Sequence, residues 1–254
     1  MNARPPQEPL TGKTALITGA ARRVGAGIAR ALHQCGANIV IHCHRSRGEA
    51  DALAASLEAL RTGSAHVVQS DLLEPGAPPR IVEAALARYG QLDVLVNNAS
   101  TFYATPFGEI TEAHWNDLMG SNLKAPLFMA QAALTPLRLA RGLVLNIVDI
   151  HGMRPLRRYP VYSAAKAGLI MLTKSLAREM GPQVRVNGIA PGPVMWPEDG
   201  TADSELQRKI VDRTALKRTG SAEDIARAAV FFATEAPFVT GQILAVDGGR
   251  SVGW

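Results

Sequence analysis

Tyr162 and Lys166 stand four residues apart at the end of the stretch Asp149-Ile-His-Gly-Met-Arg-Pro-Leu-Arg-Arg-Tyr-Pro-Val-Tyr-Ser-Ala-Ala-Lys166. In a helix that spacing puts both side chains on one face. A phenol ordinarily ionises near pH ~10, and an ammonium beside it favours the phenolate. The spacing therefore predicts a tyrosine of lowered pKa that passes a proton near neutrality. Tyr-x-x-x-Lys by itself also occurs in helices that do no chemistry. Asp149 sets this pair apart. It follows an apolar run, Leu143-Val-Leu-Asn-Ile-Val148, that reads as a buried strand, and open α/β sheets carry their chemistry at such strand ends.

The elements that must position these groups follow from hydrophobic periodicity. Short apolar runs predict strands over Thr14–Thr18, Asn38–Cys43, His66–Gln69, Leu92–Asn97, Leu143–Val148, Arg185–Ile189 and Ile243–Val246. Between them, helical patterns cover Val24–Cys35, Glu49–Arg61, Pro79–Tyr89, Glu112–Leu134, Val161–Met180, Glu205–Thr214 and Ala222–Thr234. Such alternation implies a parallel sheet covered on both faces. The expected fold is α/β, a single-domain doubly wound Rossmann fold with a parallel seven-stranded sheet. No linker, repeat or low-complexity tract divides the 254 residues. Residues 1–12 are polar and Pro-rich and read as a flexible leader before a catalytic domain over 13–254.

Composition narrows the function classes. No run approaches the ~18 consecutive apolar residues of a membrane span. Cys35 and Cys43 form no disulfide framework, which fits a reducing cytoplasmic setting. The formal charge of +5 would suit nucleic acid, but the arginines occur singly or in pairs, without interleaved aromatics. An anionic small cofactor explains them better.

The first strand runs into Thr18-Gly-Ala-Ala-Arg-Arg-Val-Gly25 and a helix, the order in which backbone amides and a helix N-terminus receive a pyrophosphate. Gly19, Arg22, Arg23, Val24 and Gly25 are the expected contacts. The second strand ends in His44, Arg45 and Ser46, with no acid to hold ribose hydroxyls. Basic and hydroxyl groups there suit a 2′-phosphate, so the expected cofactor is NADPH. His42-Cys43-His44 is no zinc site, because adjacent strand residues face opposite ways. Asp71, followed by Leu72, either accepts from an adenine amino group or caps a helix.

The turn resembles the Thr-Gly-x-x-x-Gly-x-Gly motif of short-chain dehydrogenase/reductases, with Arg23 in place of the middle glycine. Asn97-Asn-Ala99, Gly120-Ser-Asn-Leu-Lys-Ala-Pro126, Arg185-Val-Asn-Gly188 with Pro191-Gly192, and Val246-Asp-Gly-Gly249 extend the resemblance from about residue 13 to 251. The family places a serine thirteen residues before its tyrosine, and here that position is Asp149. Arg23, Ser100-Thr-Phe102 and Asp149 together resemble the pteridine reductase branch, as does His44-Arg-Ser46.

That resemblance implies hydride transfer from NADPH to a C=N bond of a dihydropterin or dihydrofolate. Tyr162 and Asp149 would handle protons, with Lys166 on the nicotinamide ribose and Asn122 kinking the fourth helix and holding a relay water. Asn98, Ala99, Ser100, Pro191, Gly192 and Val194 would meet the cofactor. The pterin would lie between Phe102 and the nicotinamide, oriented by Ser100 and Arg23, and its tail would meet Met195 and Trp196, with a plain packing role as the alternative for Trp196. A substrate lid is expected around 192–219, and a homotetramer through the last strand and the tail ending in Trp254. No metal is implied. The competing readings are a reductase of ketones such as 3-oxoacyl thioesters, which prefers a neutral hydroxyl to a carboxyl at 149, and a non-catalytic NADPH sensor.

Overall fold

Apolar strands long enough for two covered faces, separated by amphipathic helices, pack as a helix–sheet–helix sandwich. The computed structural model shows that arrangement and describes residues 8–194 and 204–252. The elements in chain order are β1 Thr14–Ile17, α1 Arg23–Gln34, β2 Asn38–Cys43, α2 Arg47–Glu58, β3 Ala65–Gln69, α3 Ala77–Tyr89 and β4 Val94–Asn97. They continue with α4 Glu112–Met119, α5 Ala125–Ala132, α6 Leu134–Ala140, β5 Leu143–Ile147, α7 Pro160–Met180, β6 Arg185–Pro191, α8 Ser204–Asp212, α9 Ala222–Thr234 and β7 Ile243–Val246. The seven strands form one sheet in the order β3-β2-β1-β4-β5-β6-β7, every neighbouring pair parallel.

Period-two alternation sends neighbouring residues to opposite layers. Ala15, Ile17, Ile39 and Ile41 meet Ile28 and Leu32 of α1, Leu53 of α2 and Phe232 of α9. Leu16, Val40, Leu95 and Val144 meet Ile81 of α3, Met129 of α5 and Leu137 of α6 on the other side. The chain lays β2 and β3 outward on one flank of β1, then returns to put β4 on the other flank. That reversal opens a crevice at the C-terminal ends of β1 and β4, the usual ligand position in such sheets. Of the N-terminal stretch, Leu10 is buried and its N–H donates to Cys35 O.

The continuous helix expected over Glu112–Leu134 is corrected. It opens into a π-helical turn at Gly120–Lys124, continues as α5, and α6 follows after Ala133. The widened turn disturbs the regular backbone ladder, and the Asn122 amide caps the gap by donating to Leu118 O at 2.9 Å and Thr101 O at 3.0 Å. Pro126, which has no N–H to offer the preceding turn, follows immediately.

A buried polar ladder lies just below the crevice. Asn97 Nδ2 donates to Asn146 Oδ1 and Asn146 Nδ2 to Thr173 Oγ1, both at 2.9 Å, tying β4, β5 and α7 together. Asn146→Ala removes both buried bonds and leaves Asn97 Nδ2 only the longer one to Pro126 O at 3.4 Å. The expected loss is about 2 kcal/mol, read as a lower urea midpoint at unchanged slope, and an unshifted midpoint would contradict the ladder's role.

Candidate active site

The crevice wall is built from two strand ends stitched together. Thr18 Oγ1 accepts from the N–H groups of Asn98 and Ala99, both at 3.0 Å. Asn98 Nδ2 returns the tie, donating to Thr18 O and Gly19 O at 2.9 Å. Gly25 is required by this clamp, because a Cβ there would lie 2.5 Å from Gly19 O and 2.6 Å from Asn98 Nδ2. Arg22 precedes α1 without a side-chain cap, so the first amides of the helix stay available to an anion. Arg23 keeps the left-handed conformation, φ +53°, that a glycine would adopt freely. For an L-residue this costs on the order of 1 kcal/mol, a strain borne at the site itself.

The cleft, about 760 Å³, is lined by this turn, by His44, Arg45 and Ser46, by Asp71 and Leu72, and by Asn98, Ala99 and Ser100. The residues expected to hold a nucleotide cofactor thus converge on one surface. Arg22 is paired with Glu49 at 3.4 Å, whereas Arg45 is exposed. Asp71 is not a helix cap, since Gly76 precedes α3. One of its carboxylate oxygens accepts from Leu73 N–H at 2.9 Å, and the other faces His44 Nε2 at 3.8 Å. Pro191 ends β6 and Gly192 and Val194 follow it, with Gly192 N–H donating to Val246 O. Met195, Trp196 and Trp254 lie outside the described residues, as does part of the expected lid.

Asp149 and Tyr162 meet at the end of β5. The Tyr162 hydroxyl donates to Asp149 Oδ2 at 2.7 Å, and the other oxygen of Asp149 accepts from His151 N–H at 2.7 Å. Lys166, fully enclosed, donates from Nζ to Ile147 O at 3.0 Å and lies 5.6 Å from the centre of the Tyr162 ring. Burial brings its ammonium down to about 8, with Asp149 pulling the other way. The expected lowering of the Tyr162 pKa is corrected. Burial, then the charge of Asp149 and its hydrogen bond, push the phenol well above its ordinary value, and Ser100 opposes them only in part. Ser100 Oγ in turn donates to Asn122 Oδ1 at 2.6 Å, so Asn122 is joined to the site through a hydroxyl. Phe102 stands at the mouth, half exposed. One face is stacked on Tyr159 at 4.7 Å and 13°, and Tyr162 meets it edge-on at 4.8 Å.

Tyr159 and His42 are the contributors that sequence reasoning missed. His42 is buried at the base of the glycine turn, where Nδ1 accepts from Gly19 N–H at 3.3 Å and Nε2 lies 3.1 Å from Ser70 O. Both bonds exist together only in the neutral ring with its proton on Nε2. The signal was a lone imidazole in the otherwise apolar run Ile39-Val-Ile-His42.

With this geometry, the chain belongs to the short-chain dehydrogenase/reductase superfamily and is an oxidoreductase of that class. The model of the family described as enoyl-(acyl carrier protein) reductase matches residues 19–251. The chain is 36% identical to pteridine reductase 1 of Leishmania tarentolae, over 95% of this chain and 97% of that protein. It is 34% identical to a 3-oxoacyl-[acyl-carrier-protein] reductase of Chlamydia trachomatis, over 95% and 98%. A relative from Methylorubrum extorquens, an uncharacterized oxidoreductase, is 35% identical over 94% and 98%.

Burial lowers the His42 pKa from 6.5 to about 4. Stability supplied by the neutral ring is therefore complete above 6.5 and is lost as pH falls to about 4, with an upper bound on the order of 3 kcal/mol. Across that window the melting temperature of the wild-type protein is expected to fall more steeply than that of His42→Gln. Parallel curves would contradict the assignment.

Proposed function

We propose that this protein is an NADPH-dependent pteridine reductase that transfers hydride to a C=N bond of a dihydropterin and yields the tetrahydro form. The observation that carries the reading is the 2.7 Å hydrogen bond from Tyr162 to Asp149. A ketone reductase needs a neutral donor opposite its tyrosine, because a carboxylate repels the developing oxyanion. A ring nitrogen or amidine edge, by contrast, pairs well with a carboxyl group.

In this reading the first amides of α1 with Arg22 and Arg23 hold the diphosphate, and His44, Arg45 and Ser46 hold the 2′-phosphate. Asp71 and Leu72 border the adenine. Asn98, Ala99, Pro191, Gly192 and Val194 surround the nicotinamide. When bound, the reduced nicotinamide supplies the hydride. Lys166 spends one N–H on Ile147 O, which leaves two for the ribose hydroxyls. Tyr162, kept protonated by burial and by Asp149, gives its proton to the ring nitrogen as hydride reaches the adjacent carbon. Asp149 orients the ring by accepting from it. Ser100 and the free face of Phe102 complete the pterin site, with Asn122 holding Ser100. The half-exposed strand β7, with Leu244 outward, supports subunit contact in a homotetramer.

A turnover panel tests the reading: dihydrobiopterin, dihydromonapterin, dihydrofolate and an acetoacetyl thioester, each with NADPH. The dihydropterins are expected to be reduced and the thioester to react poorly, and the reverse order would favour the ketone reading. Asp149→Ala is expected to bind NADPH as the wild type does while kcat on dihydropterin falls at least ~100-fold. Unimpaired turnover would refute the role. Lys166 carries its charge below about 8 and loses it as pH rises through that value. Wild-type kcat should accordingly decline on the alkaline side of about 8, and a flat profile there would count against Lys166 acting as a cation.

A further inference from the structure

Between Ile150 and Ser163 the chain carries three arginines, one histidine and no acid. This loop joins the strand end of Asp149 to the helix of Tyr162, so its position is fixed by the two reacting groups. It is also held along its own length. Arg154 N–H donates to Ile150 O at 3.0 Å, Leu156 N–H to Ser163 Oγ at 3.2 Å and Tyr159 N–H to Leu156 O at 3.1 Å. Arg158 O accepts from Thr105 N–H at 2.7 Å, which joins the loop to the segment that carries Phe102.

Arg158 adopts φ +73°, a conformation that an L-residue takes only at a cost. The next residue, Tyr159, stacks on Phe102 at the cleft mouth. Arg157 and Arg158 are both exposed, and neither has an acidic partner among the described residues. Arg154 has a partner of its own. The nearby chain 104–112 offers only Glu109 and Glu112, both exposed, and Asp149 is bonded to Tyr162 and His151. A held loop with two unpaired guanidinium groups beside the aromatic wall is a surface for an anion, and the planar fork of arginine suits a carboxylate.

We propose that Arg157 and Arg158 form a rim that binds the carboxylate-bearing tail of the substrate, so that a dihydropterin with an anionic tail is preferred over one with a neutral tail. This rests on the pterin reading of the site. A bicyclic ring lying against Phe102 leaves its substituent at the mouth, where these two residues stand. The contacts involve the tail alone, so they act on binding and not on the hydride step.

The test compares dihydrofolate, whose tail ends in a glutamate, with dihydrobiopterin, whose tail is uncharged. The variant is Arg157→Ser with Arg158→Gly, glycine being at ease at φ +73°. The expected result is a rise of about tenfold in KM for dihydrofolate, with kcat unchanged and both constants for dihydrobiopterin unchanged. Arg157→Lys with Arg158→Lys should restore part of the loss. Raising salt from about 0.02 to about 0.3 M should raise the wild-type KM for dihydrofolate and leave the variant's nearly constant. Equal effects on the two substrates, or none on either, would overturn the rim while leaving the pterin reading intact. Failure of the wild type to reduce either pterin would overturn both.

Discussion

A buried phenol facing a carboxylate is the constraint on which this site depends. The Tyr162–Asp149 hydrogen bond connects the end of β5 to the first turn of α7, and it fixes which species can react there. Taken out of water and set against a negative charge, the phenol keeps its proton. Lys166, enclosed beneath, holds a charge that burial makes costly and Asp149 helps to retain. The three groups set one another's protonation, and replacing any one changes what the other two can do.

The fold supplies the rigidity this arrangement needs. Asp149 is placed by a strand buried on both faces, and Tyr162 and Lys166 by a 21-residue helix whose inner side is packed on that sheet. On the glycine-turn side, Thr18, Asn98 and Gly25 lock the ends of β1 and β4, with His42 bracing the turn from below. The π-helical turn carries Asn122 to Ser100 and so connects the two halves of the crevice. Left-handed backbone at non-glycine positions occurs at Arg23, Arg141, Arg158 and Lys217, and at Arg23 and Arg158, beside the site, it presents a cation that glycine could not.

Much of this was legible in the sequence because two-sided burial leaves continuous apolar runs, and all seven expected strands are present within a few residues at each end. The strand, glycine turn and helix expected at the start of the fold are present in that order, and the turn lines the cleft. Tertiary context overrode local pattern elsewhere. Nothing in residues 112–134 marks a π turn apart from an α-helix except Asn122 and Pro126, and one of the two bonds by which Asn122 secures it goes to Thr101, outside that stretch. The lowering expected for Tyr162 came from helix spacing alone. Spacing says nothing of burial or of how closely a carboxylate thirteen residues earlier approaches. Likewise Asp71 reads equally as an adenine contact or a helix cap, and only the loop before α3 shows its partners to be Leu73 and His44.

Ultraviolet titration of the phenol, as the difference between the wild-type protein and Tyr162→Phe, tests the central pair most directly. Tyr162 is expected to stay protonated past the ordinary phenol value of 10.0, and Asp149→Asn to bring its ionisation down. A Tyr162 phenolate in the wild-type protein well below that value would contradict it.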